Sequence, residues 1–195
     1  MKKLSCILVF IFGFQAAHAG SISGKARCRG IPDSSDIVLY AERESPETIT
    51  PPPTPVILDQ INLRFVPHVL PVVVGTTVVF PNSDELRHNV FSFSSAKRFN
   101  LGIYPKGASR QVTFDRPGEV ALLCNIHLEM SAYVLVLQTP HFTVTHRDGG
   151  YNIKNVPAGK YTVKAWHESC KPASHPIEIK GQEDSAWDIE LTPGR

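Results

Sequence analysis

No long stretch of this 195-residue chain carries a strong 3.6-residue hydrophobic period, which argues against a helical bundle. Cysteine and methionine are scarce, at four and two residues. No Cys-x-x-Cys-His run is present, which excludes covalently attached haem, and no paired Cys-x2-Cys of a structural zinc site. Long apolar runs are also scarce. The one at Leu4 to Phe14 falls well short of the roughly 20 residues that a membrane-spanning helix needs. A surplus of either charge is missing too. The chain has 20 Lys and Arg against 18 Asp and Glu, and the two extra cations are Lys2 and Lys3. No basic stripe remains to suggest nucleic acid, nor an acidic tail or polybasic membrane patch.

The apolar run is instead the centre of a leader. Lys2 and Lys3 precede it, and Ala17-His18-Ala19 supplies small residues at both positions that a signal peptidase reads. A secretory signal peptide is therefore expected over residues 1–19, with cleavage after Ala19. The remainder is expected to be soluble, without stable membrane insertion. Cys28, Cys124 and Cys170 lie beyond the leader, and export places them where disulfides persist. An odd number leaves at least one thiol unpaired or bound to something.

Beyond the leader the chain reads as all-β. Short apolar and β-branched runs alternate with Gly, Pro, Asn-Ser and Asp-Gly punctuation: Val69–Val74, Thr76–Phe80, His88–Phe93, Gln111–Phe114, Val120–Cys124 and Ala132–Leu137. Several are apolar on both faces, as in a sandwich core. The segment Thr50-Pro51-Pro52-Pro53-Thr54-Pro55 is a stiff connector that cannot join a central strand. A second change comes at Thr139-Pro140, after which alternation resumes.

The chemistry concentrates in Cys124-Asn125-Ile126-His127-Leu128-Glu129-Met130, which puts Cys, His and Met at i, i+3 and i+6 between two strands. A short inter-strand loop can turn three such side chains towards one point. His88, opening another strand, is the candidate fourth ligand. A soft thiolate, two imidazoles and a thioether together form the ligand set of a type-1 (blue) copper site, with the methionine as a weak axial ligand. The bland reading of Cys124 is a buried structural thiol, or a partner of Cys28 or Cys170. Met130 is the sole methionine after the leader, and its spacing favours ligation over core filling.

From about Val56 to Gln138 the chain resembles the cupredoxins of the plastocyanin and amicyanin group. The resemblance rests on Phe65-x-Pro67, the Val-rich strand, Gly75, Val78-x-Phe80, Asn82-x-Asp84, His88-Asn89-Val90 and the short Cys124–Met130 loop. It implies a Greek-key β-sandwich over residues 56–138 holding one type-1 copper through His88, Cys124, His127 and Met130. It further implies that the Asn89 backbone N–H faces the Cys124 sulfur, that Asn82 braces the ligand loops, and that His127 is the more exposed imidazole and electron exit. Leu128 and Arg87 stand where short-loop relatives often carry proline, which touches potential and partner choice more than copper binding. The stretch 139–195 resembles carboxypeptidase-regulatory-like (transthyretin-like) β-sandwich modules, through Asp148-Gly149-Gly150-Tyr151 and Pro157-Ala158-Gly159-Lys160-Tyr161. Its usual first strands are expected at residues 20–50, so that the copper domain is inserted into a split outer domain; two tandem domains are the alternative. A Cys28–Cys170 disulfide would join the two halves. The whole chain resembles exported methylamine-utilisation or plastocyanin-like proteins.

His68 is the ambiguous residue. A hairpin turning at Gly75 would place His68 and Asn82 at the same end of the sandwich, where His68 is either a surface neighbour or an extra ligand. His141, His146, His167 and His175 form no tight spacing motif, and Trp166 and Trp187 are expected as core anchors. The resulting expectation is a periplasmic copper electron carrier, not an enzyme, serving redox partner proteins. The alternatives are a copper chaperone or store, a red-copper-like site in which His68 completes a centre reactive towards a small molecule, and a metal-free assembly module.

Overall fold

The computed structural model describes residues 19–45, 47–181 and 183–194, so the expected signal peptide lies, apart from Ala19, outside them. Among the described residues the regular elements are all strands, which build β-sandwiches.

One sandwich has a five-stranded sheet in the order β6 (Val69–Val73), β12 (Ser131–Leu137), β11 (Gly118–Leu123), β8 (His88–Ser92), β9 (Phe99–Tyr104). A three-stranded sheet, β10 (Ser109–Phe114), β7 (Thr76–Pro81), β3 (Val56–Ile57), faces it. The β4 (Asp59–Ile61) and β5 (Arg64–Val66) hairpin lies alongside. Alternation decides which side chains enter the core. Thr76, Val78 and Phe80 of β7 point inward, as do Val112 and Phe114 of β10 and Val120 and Leu122 of β11. Each large apolar side chain so buried contributes about 1.5–3 kcal/mol. On β12, Leu135 and Leu137 of the opposite face are buried as well. They meet Val38, Val69 and Trp166 in a separate apolar cluster, which is why this strand reads as a continuous hydrophobic run.

The Gly75 hairpin is not formed. β6 runs parallel to β12, while β7 pairs with β10 and β3 in the facing sheet. Gly75, at φ 89°, carries the chain from one sheet to the other. An apolar run on either side of a glycine fits a sheet-to-sheet crossing as well as a hairpin. The strand β9 is also absent from the sequence reading, because Asn100, Gly102 and its exposed positions dilute the alternation.

The second sandwich combines both ends of the chain. Its first sheet runs β13 (Phe142–Val144), β2 (Val38–Arg43), β15 (Gly159–Trp166), β16 (Ala173–Ile179). In the other, β1 (Ala19–Cys28) pairs antiparallel with β14 (Gly150–Pro157) and parallel with β17 (Asp184–Ala186) and β18 (Ile189–Leu191). Ile22, Ile37, Leu39, Ile153, Tyr161 and Val163 lie in its core. Cys28 and Cys170 form a disulfide. Trp166 is 7% exposed, and Trp187 stacks on His175 with ring centroids 5.6 Å apart.

Candidate metal centre

The end of β11 sets the site. Leu123 pairs with Ser131 of β12 and with Phe91 of β8, so Cys124 leaves the sheet beside the start of β8. The 124–130 loop folds back on itself through a hydrogen bond from Met130 N–H to the His127 carbonyl at 3.0 Å. It is tied to β8 by Asn125 N–H, which donates to Asn89 Oδ1 at 2.9 Å.

This geometry brings His88, Cys124 and His127 together. One ligand atom from each lies within 4.8 Å of the others. The Nδ1 atoms of His88 and His127 are 2.9 Å apart, and their rings meet edge-on at 4.7 Å between centroids. His88 and Cys124 are buried, and His127 is half-buried. Cys124 is the free cysteine among the described residues. Met130 is 1% exposed and belongs to the same buried cluster as Cys124.

Behind His88 stands a residue to which the sequence reading gave no role. His88 Nε2 lies 3.0 Å from Asp84 Oδ2, which also accepts the Leu63 N–H at 2.7 Å. Asp84 Oδ1 accepts the Glu85 N–H at 2.8 Å, and the Asp84 N–H donates to Asn82 Oδ1 at 3.0 Å. The Leu63 bond, helped by His88 and Glu85, holds the Asp84 carboxyl below its ordinary range against partial burial, which pushes it up. The only sequence signal was a carboxylate four residues before a candidate ligand, in an Asn-x-Asp turn.

Asn82 braces this loop from within: its Nδ2 donates to Leu86 O at 2.8 Å and Tyr104 O at 3.1 Å. The Tyr104 hydroxyl accepts from Gln60 Nε2 at 2.7 Å and donates to Phe80 O at 3.1 Å. Burial pushes the Tyr104 pKa up to about 12. Asn89 reaches the ligand loop through its side chain, which also donates to Asn100 Oδ1 at 3.3 Å. Among the described residues no hydrogen bond runs from the Asn89 N–H to the Cys124 sulfur.

His68 points elsewhere. Its Nδ1 faces Ser131 O at 3.1 Å and its Nε2 faces Glu168 Oε1 at 2.9 Å, so both ring nitrogens are engaged away from the cluster. It therefore joins the edge of the ligand loop to the second sandwich. Of the remaining histidines, His167 is buried, and burial lowers the pKa of both His141 and His167.

The donor set has the chemistry of a copper-binding centre: two imidazole nitrogens and a sulfur, with no carboxylate oxygen among them. Because a carboxylate only accepts, the Asp84 contact places an N–H on His88 Nε2; in the neutral imidazole that leaves Nδ1 as the acceptor atom facing His127. Leu86, Ile103 and Ile126, which are 47%, 52% and 41% exposed, line a shallow surface with Arg87 and His127, and Leu128, next in sequence, is 84% exposed.

Comparison with known proteins finds no matching family model and no matching curated protein. Solved structures do match. Over 48% of its length the chain is similar to a copper-containing nitrite reductase from Thermus scotoductus SA-01, at 29% identity and a TM-score of 0.42. The match covers 25% of that reductase chain, so this protein spans about a quarter of it. A purple cupredoxin from Nitrosopumilus maritimus matches 42% of this chain and 99% of its own, at 23% identity and a TM-score of 0.39. Amicyanin from Paracoccus versutus matches 50% of this chain and 98% of its own, at 19% identity and a TM-score of 0.41.

Proposed function

We propose that this protein is an exported type-1 copper protein that carries single electrons between partner proteins in the periplasm. The observation that carries the reading is the meeting of His88 Nδ1, His127 Nδ1 and the free Cys124 thiol at one end of a β-sandwich. In this reading one copper ion is held by His88, Cys124 and His127, with Met130 as a weak axial ligand. Bound there, copper supplies a one-electron couple, and a thiolate, imidazole and thioether set suits both of its oxidation states. The chain's part is to keep the donors fixed. Cys124 and His88 are anchored by strand ends and Met130 by its packing, so little has to move when an electron arrives.

His127 is the more exposed imidazole and the exit for the electron. Exposed apolar side chains around it supply a face on which a redox partner can exclude water. The sandwich over residues 56–138 is read as a cupredoxin domain, inserted into an outer carboxypeptidase-regulatory-like sandwich formed by residues 20–50 and 139–195. The outer sandwich serves as scaffold or docking surface. A disulfide between Cys28 and Cys170 accords with an oxidising compartment, as does the leader composition. Among the described residues no helix is long and apolar enough to cross a membrane.

The test is a visible absorption spectrum of residues 20–195 after addition of Cu(II), beside the Cys124→Ser variant. An intense blue band that vanishes in the variant is expected. A chain that takes up no stoichiometric copper, with the variant indistinguishable from it, would sink the reading.

A further inference from the structure

We propose that Asp84 is a positioning residue for the metal centre: it fixes the tautomer of His88 and places a fixed negative charge behind that ligand, favouring the oxidised state of the bound metal. The inference rests on the proposed copper function and assigns a role to a residue outside the donor set.

Three observations carry it. His88 is the fully buried ligand, with 0% of its side chain exposed, and Asp84 is 11% exposed. The contact between Nε2 and Oδ2 at 3.0 Å is therefore closed to water on the His88 side and only narrowly open to it on the Asp84 side. Second, Asp84 itself is locked. Its two oxygens accept the Leu63 and Glu85 N–H groups, and its own N–H is held by Asn82. The Leu63 N–H is delivered by an unusual turn. Asn62 and Leu63, at φ 51° and 59°, are consecutive left-handed residues joining β4 to β5. Such turns ordinarily use Asn-Gly, and a leucine there is strained. Strain of this kind persists where surroundings over-determine it, and Asp84 is such a surrounding. Third, the negative charge is not cancelled. Among the described residues no lysine or arginine pairs with Asp84, whose one such contact is the His88 ring.

The consequences are electrostatic. A carboxylate on the remote nitrogen makes the imidazole a stronger donor. It also interacts more favourably with the higher charge of Cu(II) than with that of Cu(I), and with Asp84 only 11% exposed little water screens that difference. Asp84 thus lowers the reduction potential and selects the neutral His88 tautomer in which Nδ1 is the free donor atom.

The experiment uses residues 20–195. Asp84→Asn keeps an acceptor for His88 Nε2–H and removes the charge. In the copper-loaded protein it is expected to weaken Cu(II) binding about tenfold relative to Cu(I), a rise of about 59 mV in midpoint potential for a one-electron couple. Asp84→Glu, which restores the charge, is expected to return part of that shift. A folded, copper-loaded Asp84→Asn protein with the wild-type potential would overturn the proposal. A measurement without any variant reads the same contact. Nitrogen-15 NMR of the neutral His88 ring in the metal-free wild type is expected to show the proton on Nε2 and a bare Nδ1, and a neutral ring protonated on Nδ1 instead would overturn it. If the wild type failed to take up copper, the functional reading would fall, while the tautomer would still confirm or refute the Asp84–His88 pair.

Discussion

Cys28 and Cys170, 142 residues apart in sequence, are joined by a disulfide between the end of β1 and the segment after β15. The bond closes a loop that contains the entire candidate metal centre. On chain-entropy grounds a loop of this length would remove up to about 5 kcal/mol of unfolded-state freedom, although measured values usually fall at about 2–4 kcal/mol. The Cys28→Ala/Cys170→Ala double variant is therefore expected to lose about 2–4 kcal/mol in urea unfolding. Its Cys124-dependent copper colour should persist, since Cys124 takes no part in the bond. A loss of colour in a folded double variant would show that the cross-link shapes the metal centre itself.

Gly149 lies at φ 78° in the turn before β14, and a Cβ there would collide with the Ala26 carbonyl oxygen and meet Ser34 Cβ at 3.1 Å. The same turn accepts Ala26 N–H at Gly149 O, 2.9 Å away, so the chain cannot back off without losing a hydrogen bond. Gly30 provides the control: φ is 85°, but nothing lies within 4 Å of the added carbon. Gly30→Ala should cost only the left-handed penalty of about 1–2 kcal/mol. Gly149→Ala should cost clearly more, because the clash adds to that penalty. Equal losses in parallel urea titrations would mean that the turn relaxes around the new methyl group.

The legible parts were those in which local chemistry and tertiary placement agree. The Cys124–Met130 loop could be read because ligands spaced three apart must lie close in a tight turn, and His88 could be added because it opens a strand. The runs that become β7, β10 and β11 were readable as strands because short β-branched segments there sit between turn residues. The illegible parts depend on partners remote in sequence. The runs on either side of Gly75 carry no mark of which sheet each joins. His68 gave no sign that Glu168, from the other sandwich, would take its Nε2. Asp84 entered only as part of the Asn82-x-Asp84 pattern, and its place behind His88 depends on a backbone N–H from the β4–β5 hairpin.

Trp166 tests the seam between the two sandwiches. Its side chain packs with Val38, Val69, Leu135 and Leu137, its ring lies 5.6 Å from that of Tyr133, and its Nε1–H donates to Glu119 Oε2 at 3.1 Å. Trp166→Ala should cost about 3–5 kcal/mol, as for a large aromatic removed from a packed site. Trp166→Phe should cost nearer 1 kcal/mol, because it keeps most of the contact area and the exposed Glu119 regains water. If the alanine variant lost under about 1 kcal/mol in calorimetry or urea unfolding, the seam would contribute little, and the sandwiches would stand independently.

His167 gives the pH prediction. It is 8% exposed, its Nδ1 accepts the Ser169 N–H at 3.1 Å, and it lies 3.5 Å from the Cys170 sulfur. Burial lowers its pKa below the ordinary 6.5; Glu168 and Asp36 oppose the shift, and His68 adds to it. Between the unfolded value and the lower folded value, the unfolded chain binds the extra proton, so stability rises with pH across that window. The contribution is fully present above about pH 6.5 and is lost as pH falls through the folded value. His167→Asn keeps an acceptor for Ser169 but does not titrate. Its stability should fall less steeply than that of the wild type as pH drops below about 6.5. Some slope should remain, because burial lowers the pKa of His141 as well, and His141→Asn in the same background should reduce it further. Parallel stability curves for wild type and His167→Asn between about pH 5 and 7 would mean that His167 accepts its proton as readily folded as unfolded.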